Sequence, residues 1–192
     1  MVSEKQALRE QVLSRRNALD AAERLSLSQK ITASVLALPR YQQATCVLAY
    51  SSIGSEFDTA GFVADAIATA KKLVLPRAPA GARMLELYAV RDLARELTAG
   101  VWGIREPRPD ICAPVSPEEI EFVLVPGVAF TSRCERLGYG KGFYDRLIGE
   151  LAGRPLLVAP AFELQIVPEL PMSPTDRSVD MVITEAATHD TR

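Results

Sequence analysis

The sequence predicts an α/β protein with a single-domain open, mostly parallel sheet and helices on both faces. Strand-like and helix-like segments alternate along the chain. The strand-like segments are apolar at successive positions, which is typical of parallel strands covered on both faces. The chain has 192 residues, of which 48% are hydrophobic, and this suits one compact core. We therefore expect one domain over residues 1–192.

The elements follow in order. Two helices are predicted between about Ser3 and Leu38, with a break near Asp20, which can cap the second helix. Further helices are predicted from about Asp58 to Ala70 and at Arg146–Leu151. Buried strands are predicted at Cys46–Tyr50, Leu73–Pro76, Glu86–Val90, Phe122–Pro126, Leu156–Ala159 and Met181–Thr184. Residues 99–117 are rich in proline and glycine and are predicted to be irregular.

Composition narrows the class of protein. The formal charge is −2, from 22 basic and 24 acidic residues, so no global field recruits nucleic acid or an acidic membrane. No apolar run approaches the roughly 20 residues that span a bilayer. Cys46, Cys112 and Cys134 share no metal-ligand spacing and suggest reduced thiols. We expect a cytoplasmic monomer that acts on a small molecule, without a nucleic-acid or membrane partner.

The single histidine, His189, lies near the C-terminus and is predicted to be a tail residue. One histidine in that place argues against a histidine-based catalytic triad and a histidine-ligated zinc site. Any catalysis must therefore depend on carboxylates, lysine, arginine and a metal.

The most informative segment runs from Arg136 to Asp145, between a predicted strand and a predicted helix. Three alternating glycines surround Lys141, and two aromatic residues and an aspartate follow. Glycines let backbone N–H groups approach an anion, and a helix N-terminus adds partial positive charge. Lys141 adds a full charge, and Asp145 offers an oxygen ligand for magnesium. The segment predicts an anion pocket.

Two common phosphate motifs do not fit this segment. A P-loop needs Ser or Thr after Gly-Lys, where Gly142 stands, and glycine at position 135, where Glu135 stands. A dinucleotide fingerprint needs its third glycine at Phe143. The three glycines alone leave open a loop without a ligand. The lysine, aromatic residues and aspartate favour a nucleotide or another anionic ligand.

Side chains in different connecting segments are candidates for one crevice. Ligands of open parallel sheets bind at the carboxyl ends of the strands. Glu56, Lys141, Asp145 and Asp176 all lie in such connections. Sequence does not define strand order, so their convergence is a hypothesis.

The first helix carries a basic stripe. At about 100° per residue, its core-facing band comprises Leu8, Val12, Arg15 and Leu19. Lys5, Arg9 and Arg16 lie together at the edge of that band. Helix geometry alone favours a solvated flank. The alternative is that Lys5 and Arg9 reach over the glycine loop and contact phosphates.

These residues together resemble the 5-formyltetrahydrofolate cyclo-ligase family, also called 5,10-methenyltetrahydrofolate synthetases, nearly end to end. The matching segments are Lys5-x-x-Leu8-Arg9, Tyr50 with Glu56-x-Asp58-Thr59, Leu75-Pro76-Arg77, Trp102-Gly103-Ile104-x-Glu106-Pro107, Val125-Pro126-Gly127-Val128-Ala129-Phe130, Arg136-Leu137-Gly138-x-Gly140-Lys141-Gly142-Phe143-Tyr144-Asp145 and Asp176-x-x-Val179-Asp180. The glycine–lysine run is highly specific to that family.

The resemblance implies a ring closure that depends on ATP and Mg²⁺. In that family the formyl oxygen of 5-formyltetrahydrofolate takes the γ-phosphoryl group of ATP. Nitrogen 10 then attacks the activated carbon, and phosphate leaves to give 5,10-methenyltetrahydrofolate, ADP and phosphate. Phosphoryl transfer depends on positioning and charge neutralisation, so the absence of a catalytic histidine is no obstacle.

The resemblance also implies residue roles. Lys141 and Arg136 are the expected catalytic cations, and Asp145 and Asp176 the expected magnesium ligands. The expected ATP-binding residues are Lys5, Arg9, Arg136, Leu137, Gly138, Tyr139, Gly140, Lys141, Gly142, Phe143 and Tyr144. The expected folate-binding residues are Glu56, Trp102, Tyr139 and Phe143.

The chain departs from the family pattern at two places. The usual Phe-Asp-x-x-Gly is Phe130-Thr131-Ser132-Arg133-Cys134, which predicts a turn of different backbone shape that is less able to assist the metal. Thr175 replaces a histidine before Asp176, which predicts weaker support for that carboxylate.

Two other functions stay open at this point. One is a folate- or nucleotide-binding protein of the same family with weak or lost turnover, which the departures at Thr131, Cys134 and Thr175 motivate. The other is a sugar-phosphate isomerase or transferase on a related sheet, which would need a general base and no ATP.

Overall fold

The structure, a computed structural model, describes residues 3–100 and 103–191. The helices are α1 (Glu4–Ala18), α2 (Ala21–Leu36), α3 (Pro39–Gln43), α4 (Ala60–Ala68), α5 (Leu93–Glu96) and α6 (Phe143–Glu150). The main-sheet strands are β1 (Cys46–Leu48), β2 (Lys72–Arg77), β3 (Glu86–Val90), β6 (Phe122–Leu124), β9 (Leu156–Pro160), β10 (Met181–Ile183) and β11 (Thr188–Asp190). Two small hairpins pair β4 (Leu97–Ala99) with β5 (Arg105–Pro107) and β7 (Ala129–Phe130) with β8 (Arg136–Leu137).

The main sheet has seven strands in the order β11-β10-β9-β6-β1-β2-β3. The five inner strands are parallel, and the edge strands β3 and β11 are antiparallel to their neighbours. The predicted open, mostly parallel sheet is confirmed. The chain continues from β1 to β2 on one side and from β6 to β9 on the other. The point between β1 and β6 is therefore a topological switch point, where open α/β sheets bind ligands.

Both faces of the sheet are covered. Val47 of β1 packs in one core cluster with residues of α2 and α4, and Leu48 packs in a second cluster with Leu147 of α6. The side chains of Val47 and Leu48 are both fully buried. This explains why the strands are apolar at every position instead of alternating. Within the described ranges no helix is long and apolar enough to cross a membrane.

Helix α1 packs on the hairpin β7–β8, where Val12 joins Ala129 and Leu137 in a small cluster. The predicted placement of Arg15 on the core-facing band is wrong, because Arg15 is exposed and Arg16 is buried. The buried face of α1 lies against the hairpin and the site. Arg16 is on that face because its hydrogen-bond partners, Ser55 and Tyr139, lie there. The predicted cap is confirmed, since Asp20 accepts a 2.8 Å hydrogen bond from the backbone N–H of Glu23.

The turn that joins β7 to β8 contains the departures from the family pattern. Cys134 has a φ of 61°, the left-handed region that glycine favours. The backbone N–H groups of Arg133 and Glu135 donate to the Thr131 hydroxyl oxygen. This hydrogen-bonded turn thus holds a cysteine in a conformation typical of the glycine that the family pattern has at position 134. The expected difference in backbone shape stays a prediction. The turn lies at the hairpin end opposite the glycine loop and does not line the main cavity.

Several short elements were not predicted from the sequence. The hairpins β4–β5 and β7–β8 have strands of only two or three residues, too short for a hydrophobic period to show. The prediction that His189 is a tail residue is wrong, because it pairs with Val182 in the edge strand β11. The helix predicted at Arg146 begins at Phe143, since the left-handed Gly142 precedes it and Tyr144 packs into both core clusters.

Replacing Phe62 with alanine should lower the free energy of unfolding by about 3–5 kcal/mol. Phe62 is fully buried in α4, and its ring lies 5.0 Å from Tyr41 and 6.0 Å from Phe122, centroid to centroid. Chemical denaturation measures the loss. Ile67→Ala on the same helix is the control, because Ile67 is 37% exposed. Equal losses for the two variants would contradict the assignment of Phe62 to the core.

Candidate active site

A cavity of about 1010 Å³ opens at the carboxyl ends of the parallel strands. Its walls come from the segments that follow β1 and β2, from the glycine loop that joins β8 to α6, and from residues 173–177. Glu56, Lys141, Asp145 and Asp176 all line this cavity. The hypothesis that these four side chains converge on one crevice is confirmed. The reason is the switch point, which brings the connections after β1 and β6 to the same edge.

The glycine loop has a backbone that side chains would disturb. Gly140 and Gly142 have φ values of 92° and 67°, and Gly142 caps α6 without a side-chain hydrogen bond. A Cβ atom on Gly142 would lie 2.8 Å from an Arg146 nitrogen. The first-turn N–H groups of α6 therefore have no side-chain acceptor at the cap, and they lie beside the cavity. Such a helix start favours an anion.

Cations surround this loop. Arg9 reaches over from α1 and donates to the Gly138 carbonyl oxygen at 2.8 Å. Lys5 pairs with Asp176, and Arg136, 3% exposed, pairs with Asp145 at 2.5 Å. Lys141 is exposed, and no ion pair or hydrogen bond within residues 3–100 and 103–191 engages its ammonium group. The full charge of Lys141 is thus available to a ligand, whereas the charges of Lys5 and Arg136 are balanced by carboxylates.

The two candidate magnesium ligands are neighbours. Asp145 accepts from Arg136 and, at 3.1 Å, from the backbone N–H of Arg177, which directly follows Asp176. Asp176 accepts from Lys5 and from the backbone N–H of Ser173 at 2.6 Å. Burial by itself would raise the pKa of Asp176, but the hydrogen bonds from Lys5 and Ser173 outweigh it and lower the pKa. The Asp176 carboxylate is therefore held in the charged form that a cation needs.

The donor set suits a metal that arrives with a phosphate ligand. In the described parts of the chain no three His, Cys, Asp or Glu side chains form a group that could hold a metal by itself. Mg²⁺ typically takes one or two carboxylates and completes its shell with water and substrate phosphates. Asp145 and Asp176 beside the cationic loop fit that arrangement. Asp176 is oriented by its hydrogen bonds from Lys5 and Ser173. The Thr175 hydroxyl lies 3.3 Å from the Ser173 hydroxyl instead.

Glu56 also lines the cavity and is 7% exposed. Its carboxylate accepts from the Tyr139 hydroxyl and, at 2.9 Å, from the Ile53 backbone N–H. Burial raises the pKa of Glu56, while the hydrogen bonds from Tyr139 and Ile53 and the charge of Arg16 oppose the rise. Tyr139 itself is 42% exposed, because only its hydroxyl end is tied to Glu56 and its ring faces the cavity.

The remaining predicted residues line the same cavity, with one outside the described residues. Those lining it are Lys5, Arg9, Arg136, Leu137, Gly138, Tyr139, Gly140, Gly142, Phe143 and Tyr144. Trp102 lies outside the described residues. Arg136 Nε and the Tyr144 hydroxyl are buried without a hydrogen-bond partner in the described structure. Unpaired buried polar atoms beside a cavity suit a site that receives a polar ligand.

Tyr50, Glu106 and Arg146 are among the lining residues to which sequence reasoning gave no role, although Tyr50 and Glu106 lie in segments that match the family. Tyr50 directly follows β1, so the strand-end rule that selected Glu56 applies to it too. Arg146 donates to the carbonyl oxygens of Arg83 and Lys141, 2.6 and 2.8 Å away. Glu106 lies in the short strand β5, and no sequence pattern indicated that strand.

The Glu56 carboxyl should make folding stability depend on pH. Its pKa is raised above the ordinary 4.5 in the folded state, so the folded chain holds this proton more tightly than the unfolded chain. The free energy of unfolding should then fall as pH rises through that window. Glu56→Gln should remove this contribution and gain stability relative to wild type as pH rises. Glu118→Gln, at an exposed position, is the control in urea denaturation at several pH values; parallel curves for all three proteins would contradict the prediction.

Comparisons with known proteins identify relatives of this chain. A family model described as the 5-formyltetrahydrofolate cyclo-ligase family matches residues 1–185. The mouse 5-formyltetrahydrofolate cyclo-ligase is 30% identical over 192 residues, covering 95% of this chain and 94% of the relative. The probable 5-formyltetrahydrofolate cyclo-ligase of Schizosaccharomyces pombe is 30% identical over 172 residues, or 83% of this chain and 84% of the relative. The NMR structure of Aquifex aeolicus 5,10-methenyltetrahydrofolate synthetase is similar, with a TM-score of 0.87 and 34% identity, covering 99% of this chain and 94% of that one.

Proposed function

Because the chain belongs to the 5-formyltetrahydrofolate cyclo-ligase family, we propose that it catalyses the ATP- and Mg²⁺-dependent cyclisation of 5-formyltetrahydrofolate. The products are 5,10-methenyltetrahydrofolate, ADP and phosphate, and the enzyme acts as a cytoplasmic monomer. One observation carries the proposal: a single cavity is lined both by the cationic glycine loop and by Glu56, Asp145 and Asp176. Its volume of about 1010 Å³ is at the upper end of ordinary ligand sites, which reach about 1,000 Å³, and so suits two ligands side by side.

The nucleotide half of the cavity is the glycine loop with its cations. The backbone of Gly138 to Gly142 and the start of α6 offer N–H donors to phosphate oxygens. Lys141, whose ammonium is engaged by no described residue, supplies the charge that follows the transferring phosphoryl group. Lys5 and Arg9 approach the same loop from α1. These residues supply the positioning and the charge neutralisation on which phosphoryl transfer depends.

Asp145 and Asp176 would hold a magnesium ion in this half. A bound Mg²⁺ would neutralise phosphate charge and orient the phosphates for in-line transfer. The ion pairs with Arg136 and Lys5 orient both carboxylates before a cation binds. Arg136 donates hydrogen bonds to Asp145 and to the Pro126 carbonyl oxygen, which suits a side chain that must stay aimed at a phosphate.

The folate half of the cavity is the wall formed by Glu56, Tyr139 and Phe143. A buried carboxylate suits the N–H and amino groups at the edge of a pterin, and flat rings suit its faces. The formyl oxygen would then lie next to the nucleotide half. An amide oxygen is a poor leaving group, and phosphorylation turns it into a good one. Attack by nitrogen 10 on the activated carbon closes the ring and expels phosphate.

The test is turnover by the pure full-length protein with 5-formyltetrahydrofolate, ATP and Mg²⁺. The methenyl product absorbs in the near ultraviolet, where the substrate does not, and ADP should form in a one-to-one ratio with it. Omission of folate, ATP or Mg²⁺ should each abolish the signal. Tight binding of both ligands without absorbance growth would instead identify a binding protein with lost turnover. ADP formation that does not depend on folate would contradict the proposal.

A further inference from the structure

Arg16 of α1 is a buried cation without a directly paired carboxylate among the described residues. It is 4% exposed, whereas arginine is almost never fully buried unless it is paired. Its neighbour Arg15 is exposed on the same helix. Helix α1 therefore buries one guanidinium group. Because removing that charge from water costs free energy, the group needs hydrogen-bond partners in the folded protein.

The partners of Arg16 form a chain of hydrogen bonds that ends at the folate wall. Its Nε donates to the Ser55 hydroxyl at 3.1 Å, and one terminal nitrogen donates to the Tyr139 hydroxyl at 2.9 Å. The guanidinium also lies 5.9 Å from the centre of the Tyr139 ring. The Tyr139 hydroxyl in turn donates to Glu56. Arg16 thus hydrogen-bonds both Ser55, which precedes Glu56, and Tyr139, which donates to Glu56.

The direction of these bonds has a chemical consequence. A hydroxyl that accepts from a guanidinium is polarised and becomes a stronger donor to the next acceptor. The Arg16 charge thereby strengthens the hydrogen bond that Tyr139 donates to the Glu56 carboxylate. The other titratable groups around Glu56 are Tyr50 and Tyr144. Both are neutral near pH 7, as tyrosines ordinarily are, and burial raises the pKa of each hydroxyl further. Arg16 is therefore the one full positive charge that acts on Glu56 from the surrounding described groups.

We propose that Arg16 is a positioning residue for the folate half of the site, and that it acts by clamping Tyr139 and Glu56 into one arrangement. The clamp joins α1, the loop after β1 and the glycine loop, and Arg16 itself is not among the cavity-lining residues. The inference rests on the proposed function, because it assigns Glu56 to the folate. Replacing Arg16 should therefore raise the KM for the folate substrate and leave the KM for the nucleotide nearly unchanged.

The test compares Arg16→Met with Arg15→Met, which removes an equal charge from the exposed neighbour. Arg16→Met should raise the KM for 5-formyltetrahydrofolate about ten- to a hundredfold, as for loss of hydrogen bonds to a charged group. The KM for ATP should change less than about twofold. Removal of the Arg16 charge also favours protonated Glu56, so the acidic limb of kcat/KM for folate should move to higher pH. Arg15→Met should leave both KM values and the pH profile unchanged.

Two further variants separate positioning from structural support. Arg16→Lys keeps the charge but loses the planar fork that reaches two partners, so it should recover part of the folate affinity and the wild-type pH limb. Tyr139→Phe should raise the folate KM as Arg16→Met does. The double variant should be no worse than the more affected single variant, because both changes break the same chain of contacts. If Arg16→Met fails to fold, Arg16→Lys and Tyr139→Phe still decide the question.

Three results would overturn the inference. They are an unchanged folate KM in Arg16→Met, a parallel rise in the KM values for ATP and folate, and additive effects in the double variant. Absence of methenyl product with the wild-type protein is a different failure. It would reject the proposed function, whereas a fully active wild type with an unaffected Arg16→Met variant would reject only the role of Arg16.

Discussion

Alanine at Lys141 is expected to lower kcat for methenyl formation by about a thousandfold, the order seen when a preorganised cation is removed from a phosphoryl-transfer or oxyanion site. Lys141 lies in the glycine loop between two left-handed glycines. No described residue engages its ammonium, so its charge is free to follow the transferring phosphoryl group. The loss should appear in kcat more than in the KM for folate. Steady-state assays over both substrates measure the two separately.

The control for this loss is Lys30→Ala, which removes the same charge from an exposed position on α2 and should leave kcat unchanged. Thermal unfolding should show both variants as stable as wild type. The Lys141 side chain makes no ion pair with any described residue, and surface substitutions change stability by less than about 0.5 kcal/mol. Near-normal kcat and ATP KM in Lys141→Ala would show that the charge role proposed for this residue is wrong.

Asparagine at Asp145 should remove most turnover and also destabilise the fold. The substitution keeps the size of the side chain but removes the charge that would hold Mg²⁺ and that pairs with Arg136. Arg136 is 3% exposed, and breaking a buried pair by removing one partner costs about 3 kcal/mol or more. Activity titrated against Mg²⁺, together with urea denaturation, measures the two effects.

Glu150→Gln is the matched control, because Glu150 is exposed at the other end of α6 and should be neutral in both measurements. Arg136→Lys tests the role of Arg136 itself. It keeps a charged partner for the carboxylate, so it should retain most of the stability while losing turnover, since lysine lacks the fork that reaches both Asp145 and Pro126. Wild-type Mg²⁺ dependence in Asp145→Asn would contradict the metal role.

The family, the enzyme class and the fold class were predictable from the sequence, and all three are confirmed. The run from Arg136 to Asp145 was decisive, because its glycines, lysine and aspartate have a direct chemical meaning in that order. The longer strands and helices were also predicted, since a buried strand or an amphipathic helix leaves a local pattern. The residue roles and the Mg²⁺ requirement stay predictions for the experiments above.

Other features depend on contacts between distant segments. The left-handed Cys134 is one, because its backbone conformation is held by the Thr131 turn and by burial under β11. The strand that contains His189 is another, because three residues acquire a strand conformation only when a neighbouring edge offers hydrogen bonds. The burial of Arg16 in place of Arg15 is a third, since a helical wheel does not say which surface the helix will meet.

The sequence by itself thus predicted which residues can bind phosphate, where the longer strands and helices lie, and which family shares these motifs. The meeting of Glu56, Asp145 and Asp176 in one cavity was decided by strand order, which local patterns do not encode. The clamp from Arg16 through Tyr139 to Glu56 was decided in the same way. Its three members lie on three different elements, and hydrogen bonds among them exist only after the sheet, α1 and the glycine loop have packed together.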